Sequence, residues 1–160
     1  MKPENTYDYL LYLLLRRTTW AVNKLRDKEL ETLGTNAVRS GVLGAVLRMG
    51  EDSTIARISR QLFVEDHTVS EQIKRMEEDG LLKKTKNPDK NTTHISITEK
   101  GYDIYLTTRV QESIDELMSV LTGKQKNQLW QILSRLREKA VEELGIKNPE
   151  LFPPADYKGD

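Results

Sequence analysis

The chain has 160 residues, 31% of them charged, and its 25 basic and 25 acidic side chains leave a formal net charge of zero, so a nucleic-acid role has to rest on where particular basic residues point rather than on bulk charge. A globule of this length buries about two-thirds of its unfolded surface and needs no disulfide staples; with no cysteine at all, thiolate catalysis, Cys-ligated zinc, an iron–sulfur cluster and a thiol redox switch are excluded. The longest apolar or aromatic run is Tyr9–Leu15, well short of the roughly 20 residues of a membrane-spanning helix, and no secretory leader pattern is visible, so a soluble, cytoplasmic protein is expected.

From Thr6 to Leu33 the chain has no glycine or proline and repeats apolar residues at Leu10, Leu14, Ala21 and Leu25, which predicts one long helix. Leu11, Leu15 and Val22 fill further faces, so Tyr9–Leu15 is apolar nearly all round. Either the helix is fully buried in a core or one face meets another chain. Gly34 ends it, and Thr35 is placed as N-cap of a second helix through Val38, Val42, Leu43, Val46 and Leu47 to Gly50.

Two short helices follow. Asp52 or Ser53 can cap the first, with Ile55, Ile58 and Leu62 as its buried stripe. The second is predicted from about His67 to Asp79, with Val69, Ile73 and Met76 inward and Gly80 closing it. Only Phe63 to Asp66 separates them, which is helix-turn-helix spacing. Leu81–Lys86 and Thr93–Thr98 read as two strands, His94 and Ser96 alternating outward with Ile95 and Ile97 inward, around a tip at residues 87–92. A helix-turn-helix followed directly by a polar, basic hairpin is the order of a winged helix. Thr98 is placed to cap a helix through Ile104, Leu106, Val110, Ile114 and Leu117 to about Leu121. Thr122 with Gln125 forms a capping box for a last helix carrying Leu129, Ile132, Leu133, Leu136, Ala140, Val141 and Leu144. After Asn148, Pro149, Pro153 and Pro154 read as an extended tail. The expected fold is mainly α with a small β-hairpin wing.

With Val69, Ile73 and Met76 inward, a turn of about 100° per residue puts His67, Ser70, Glu71, Lys74, Arg75 and Glu78 outward. Arg75 or Lys74 can pair with guanine O6 and N7, and Thr68 and Ser70 can bond a phosphate or a base edge. Glu71 accepts from cytosine N4 or completes a capping box with Thr68, with Asp66 as the rival N-cap. Thr54, Arg57 and Arg60 on the preceding helix, and Lys83, Lys84 and Lys86 on the hairpin, are candidate phosphate contacts. The plainer alternative is a solvated charged face. Catalysis is not expected: His67 and His94 lack the spacing of a zinc pair, and Asp66, His67 and Ser70 sit too near in sequence to line up as a triad. No metal and no cofactor is implied.

The run Thr68-Val69-Ser70 with Ile73, Met76-Glu77, Gly80-Leu81-Leu82, Asp89 and Ile95-Ser96-Ile97-Thr98-Glu99-Lys100-Gly101 resembles the MarR family of bacterial and archaeal transcriptional regulators. The resemblance covers residues 5–146 in helix order and 54–101 in motif. It implies a homodimer with intertwined terminal helices and one winged helix per subunit, a repressor of a pseudo-palindromic operator in double-stranded DNA, and release by a small aromatic or anionic ligand. The matching organisation is an N-terminal dimerisation helix over 1–34, a winged helix-turn-helix over 35–101, C-terminal dimerisation helices over 102–147 and a tail over 148–160. Where the family's wing usually carries arginines after the aspartate, Lys90 and Asn91 follow Asp89 here; Lys90 is left to make a phosphate contact, and the minor-groove readout of arginine is not carried over. By resemblance the ligand sits between the dimerisation helices and the winged helix, near Tyr12, Arg16, Trp20 and Arg39, aromatics for a ring and arginine for an anion. The alternative there is that Trp20 is packed core and Arg16 a surface charge. A second functional reading is a helical dimerisation or protein-binding module whose winged helix reads no DNA.

Overall fold

The structure is a computed structural model that describes residues 6–87, 92–147, 149 and 151–154. Lys90 and Asn91 lie outside the described residues. The elements in chain order are α1 (Tyr7–Thr32), α2 (Ala37–Met49), a 3-10 turn (Gly50–Asp52), α3 (Ile55–Leu62), α4 (Asp66–Glu78), β1 (Leu82–Asn87), β2 (Thr92–Ile97), α5 (Glu99–Thr107), α6 (Glu112–Ser119) and α7 (Gly123–Glu143).

The core lies under α2, α3, α4 and the hairpin. Val42, Leu43, Ala45 and Val46 of α2 meet Ile58, Val69, Ile73, Met76, Leu81, Leu82 and Ile95, all buried. Side chains of this size contribute about 1.5–3 kcal/mol each when fully buried, which is why the apolar periodicity decides the fold here. β1 and β2 pair antiparallel in the register Leu82 with Ile97 and Lys84 with Ile95. Ile95 N also donates to Ser53 O at 2.9 Å, tying the wing to the turn before α3.

Helix ends depart from the sequence expectation where a tertiary contact claims the expected cap. Thr35 does not cap α2: its N–H donates to Leu30 O at 3.0 Å in the wrap-around that closes α1 after Gly34. Asn36 caps instead, its side chain accepting from Arg39 N at 2.9 Å. Ser53 is buried and its carbonyl belongs to β2, so neither it nor Asp52 caps α3; Thr54 does, accepting from Arg57 N. In α4 neither Thr68 nor Asp66 is the N-cap. The turn is three residues, Phe63 to Glu65, and the first helical bond runs from Val69 N to Glu65 O. Glu65 therefore holds the cap position without a side-chain bond, Asp66 opens the helix, and the Thr68–Glu71 capping box does not form.

The single helix expected from Thr98 to Leu121 is two. Thr98 does cap α5, but the chain breaks after Thr107 because Arg26 of α1 takes the Thr108 and Val110 carbonyls and Glu29 takes the N–H and hydroxyl of Ser113. The Thr122–Gln125 capping box forms as expected. Past α7 the described residues are not a free extended tail: Pro153 O accepts from Arg137 Nη1 at 2.7 Å, and the Phe152 ring lies 3.8 Å from the Arg48 guanidinium.

Most of α1 is bare. Leu30 is its one buried residue among those described, and Leu10, Leu11, Leu14 and Leu15 are exposed. Within a single chain the buried-core reading of α1 fails. No helix among the described residues is long and apolar enough to cross a membrane.

Candidate nucleic-acid interface

The α4 helix is anchored from one side by Val69, Ile73 and Met76. That anchoring exposes His67, Thr68, Glu71, Lys74, Arg75 and Glu78 on the other side and leaves Ser70 half-buried. His67 and Thr68 contact each other at 3.3 Å through Nε2 and Oγ1. The helix ends at Asp79 and Gly80, and Leu81 N returns to Met76 O at 2.8 Å, so the wing springs from the base of α4. Asp66 at the first turn places negative charge where the helix dipole favours it.

The basic candidates fall into two groups. Lys74, Arg75, Arg60, Lys83 and Lys86 are exposed. The others are engaged: Arg57 pairs with Asp52 at 3.1 Å, and Lys84 Nζ lies 3.1 Å from Glu77. Glu77 also accepts from the backbone N–H of Lys84, and this pair of bonds holds its carboxyl below the ordinary carboxylate range. Thr54 is spent as a helix cap. Glu77 was not legible as a partner, because only the reversal between α4 and β1 brings it to Lys84.

Of the four expected ligand-lining residues, three come together. The Arg16 guanidinium stacks on the rings of Tyr12, 5.6 Å from its centroid, and Trp20, at 4.9 Å, along an exposed side of α1. Trp20 is 61% exposed and is not packed core in the single chain. Arg39 is engaged elsewhere, in an ion pair with Asp79 at the end of α4. Among the described residues no cluster of three or more His, Cys, Asp or Glu side chains is arranged to hold a metal.

A helix with an exposed polar face on a three-helix core, followed by an antiparallel hairpin and flanked by long helices at both ends, is the winged helix fold. Residues 37–101 match the winged helix DNA-binding domain family. The organic hydroperoxide resistance transcriptional regulator of Bacillus subtilis is 31% identical over 103 residues, 63% of this chain and 66% of that protein. An organohalide-sensing regulator, RdhR, solved with 2,4-dichlorophenol bound, superposes with a TM-score of 0.85 at 24% identity, over 98% of this chain and 92% of its own. A mutant MarR from E. coli solved with operator DNA superposes at 0.73 and 20% identity, over 79% and 92%. Residues 37–101 thus form a winged helix DNA-binding domain, and the chain as a whole has the fold of the MarR-family regulators on which it superposes.

Proposed function

We propose that two copies of this chain bind one pseudo-palindromic operator and repress transcription, each copy laying α4 in a major groove. Successive half-sites are then about 10 bp, or about 34–36 Å, apart. The observation that carries the reading is the exposed polar face of α4, with Thr68, Lys74 and Arg75 beside the root of a basic wing. Base preference comes from Thr68, Ser70, Lys74 and Arg75, with His67 and Glu71 at the margin of the face. Arg57, Arg60, Lys84, Lys86 and Lys90 serve the phosphates, with Thr54 and Asn91 as neutral neighbours. The winged helix over 35–101 reads, and the helices before and after it dimerise.

The protein acts by binding rather than by catalysis, in the cytoplasm where its operator is. A small aromatic or anionic effector releases it. The Arg16 stack on Tyr12 and Trp20 supports an aromatic or anionic ligand on α1; Arg39, held by Asp79, reaches such a ligand only by giving up that pair. Displacement of bound DNA by salicylate-like anions supports this part, and indifference to a broad set of aromatic acids defeats it.

Selection from a random duplex pool at about 150 mM salt tests the main reading. Enrichment of an inverted repeat with half-site centres about 10 bp apart is the expected result. Binding that shows neither enrichment nor a steep salt dependence would instead mark the winged helix as a protein-binding surface.

A further inference from the structure

Among the described residues α7 is not packed broadly on any other element of the chain. At its end, Leu144 and Ile146 face Phe63 and Val64 of the α3–α4 turn across an open cleft of about 500 Å³. A helix that stops short of its neighbour in this way can change its angle unless something else holds it. The chain then turns back. Gly145 takes a φ of +63°, Ile146 N returns to Val141 O at 3.2 Å, and the segment that follows comes back to Arg137. This is the left-handed glycine closure of a helix C-terminus.

Two consecutive residues of that segment hold opposite partners. Pro153 O accepts from Arg137 Nη1 of α7 at 2.7 Å, while the Phe152 ring lies 3.8 Å from the Arg48 guanidinium of α2. Arg48 is itself fixed in place: its Nη2 donates to Gln61 of α3 at 3.0 Å, and its Nη1 lies over Gly44, 3.0 Å from where a Cβ would stand. Burial lowers the pKa of this guanidinium. A ring face over a partly desolvated cation attracts it more strongly than one in open water. Phe152 remains 48% exposed and lies outside the hydrophobic core, so it can leave Arg48 without opening that core.

We propose that Leu151–Pro154 is a strap that ties α7 to α2 and so fixes the angle between the winged helix and the C-terminal helix. When Phe152 leaves Arg48, that angle loosens. The consequence for DNA rests on the operator reading above: two winged helices carried at one angle accept one half-site spacing, and loosened ones accept several, each at lower affinity.

The first test needs no DNA. The chain has no cysteine, so Ala56→Cys on α3 and Glu138→Cys on α7, both exposed positions, take a pair of spin labels in the full chain. Dilution with unlabelled chain restricts the reading to distances within one copy. With Phe152 in place the pair gives one narrow distance distribution. Phe152→Ala broadens it or adds a second distance, and Phe152→Tyr, which keeps the ring, restores it. Distributions that coincide in all three overturn the proposal. The second test uses operators whose half-sites are moved apart in single base-pair steps. Wild type loses affinity steeply along that series. Phe152→Ala binds the best spacing about tenfold more weakly, follows a flatter series, and binds a lone half-site as wild type does. An unchanged series beside broadened distances also overturns the proposal. If wild type prefers no inverted repeat at all, the operator reading fails by itself, and the spin-label distances alone decide the strap.

Discussion

Arg75 and Lys74 stand exposed on α4 with no ion pair among the described residues, whereas Lys84 faces Glu77. That difference separates two expected outcomes. Arg75→Ala relaxes sequence preference and costs roughly 1–3 kcal/mol on the operator, because a bidentate contact to guanine is lost. Competition between selected operator and scrambled duplex measures it, and unchanged discrimination removes Arg75 from the base contacts. Lys84→Ala weakens binding to all duplexes nearly equally and flattens the salt slope by about 1. Because Glu77 competes with phosphate for the same ammonium, Glu77→Gln strengthens binding to every duplex alike; if affinity falls instead, the carboxylate is positioning Lys84 rather than competing for it. Arg75 was legible from spacing alone, since helix periodicity is local. The engagement of Lys84 was not, since its partner is set by how the chain reverses after Gly80.

At the scale of elements, the joints between helices depend on single residues. Glu29 accepts from the N–H and hydroxyl of Ser113 and from Arg26, and so caps α6 from α1; these bonds lower its carboxyl to about 2, the Ser113 side-chain bond first. A depressed pKa stabilises the fold above the unfolded value, near 4.5, and that contribution fades as pH falls toward the folded value. Thermal melts from neutral pH down to about pH 2 therefore show wild type above Glu29→Gln at neutral pH, with the gap closing below about pH 4.5. Curves that stay parallel throughout mean that Glu29 is not the titrating group. The α5–wing joint depends on Gly101, where a Cβ would meet Leu81 O at 2.1 Å and an Ile97 carbon at 2.9 Å. The obstructing atom is backbone, so Gly101→Ala costs about 1–3 kcal/mol or more, and Tm drops by about 2–4 °C for each kcal/mol; an unchanged Tm would falsify the tight docking of α5. The number, order and inward faces of the elements up to the wing were legible because they follow from local apolar period. The caps of α2 and α3 were not, because two neighbouring cap-competent residues compete and a backbone bond to another element engages one of them, whereas Thr98 and Thr122 cap as expected. The break between α5 and α6 was not legible either, since the residues that cause it lie 84 positions away.

For the whole molecule, the winged helix closes its own core while the ends of the chain do not. α1 leaves Leu10, Leu11 and Leu14 exposed, Leu14 at 62%, and α7 leaves Ile132 and Leu136 exposed. Exposed apolar stripes of this kind mark an interface, and a second copy covers them in the proposed arrangement. Affinity for a full operator then comes from two winged helices held at a fixed spacing, the second binding event being intramolecular once the first has occurred. Leu14→Lys puts a charge into that interface, and sedimentation velocity is expected to show one chain where wild type shows two. The lone winged helix keeps its fold, because none of the core residues lies on the first half of α1. It should therefore still bind an isolated half-site about as well as one arm of the wild type, while losing a factor of about 10² to 10⁴ on the full inverted repeat. The pair of measurements separates the two jobs. A variant that stays dimeric locates the interface elsewhere on the surface, and a monomeric variant that binds the full repeat as tightly as wild type shows that the two winged helices do not act together on DNA.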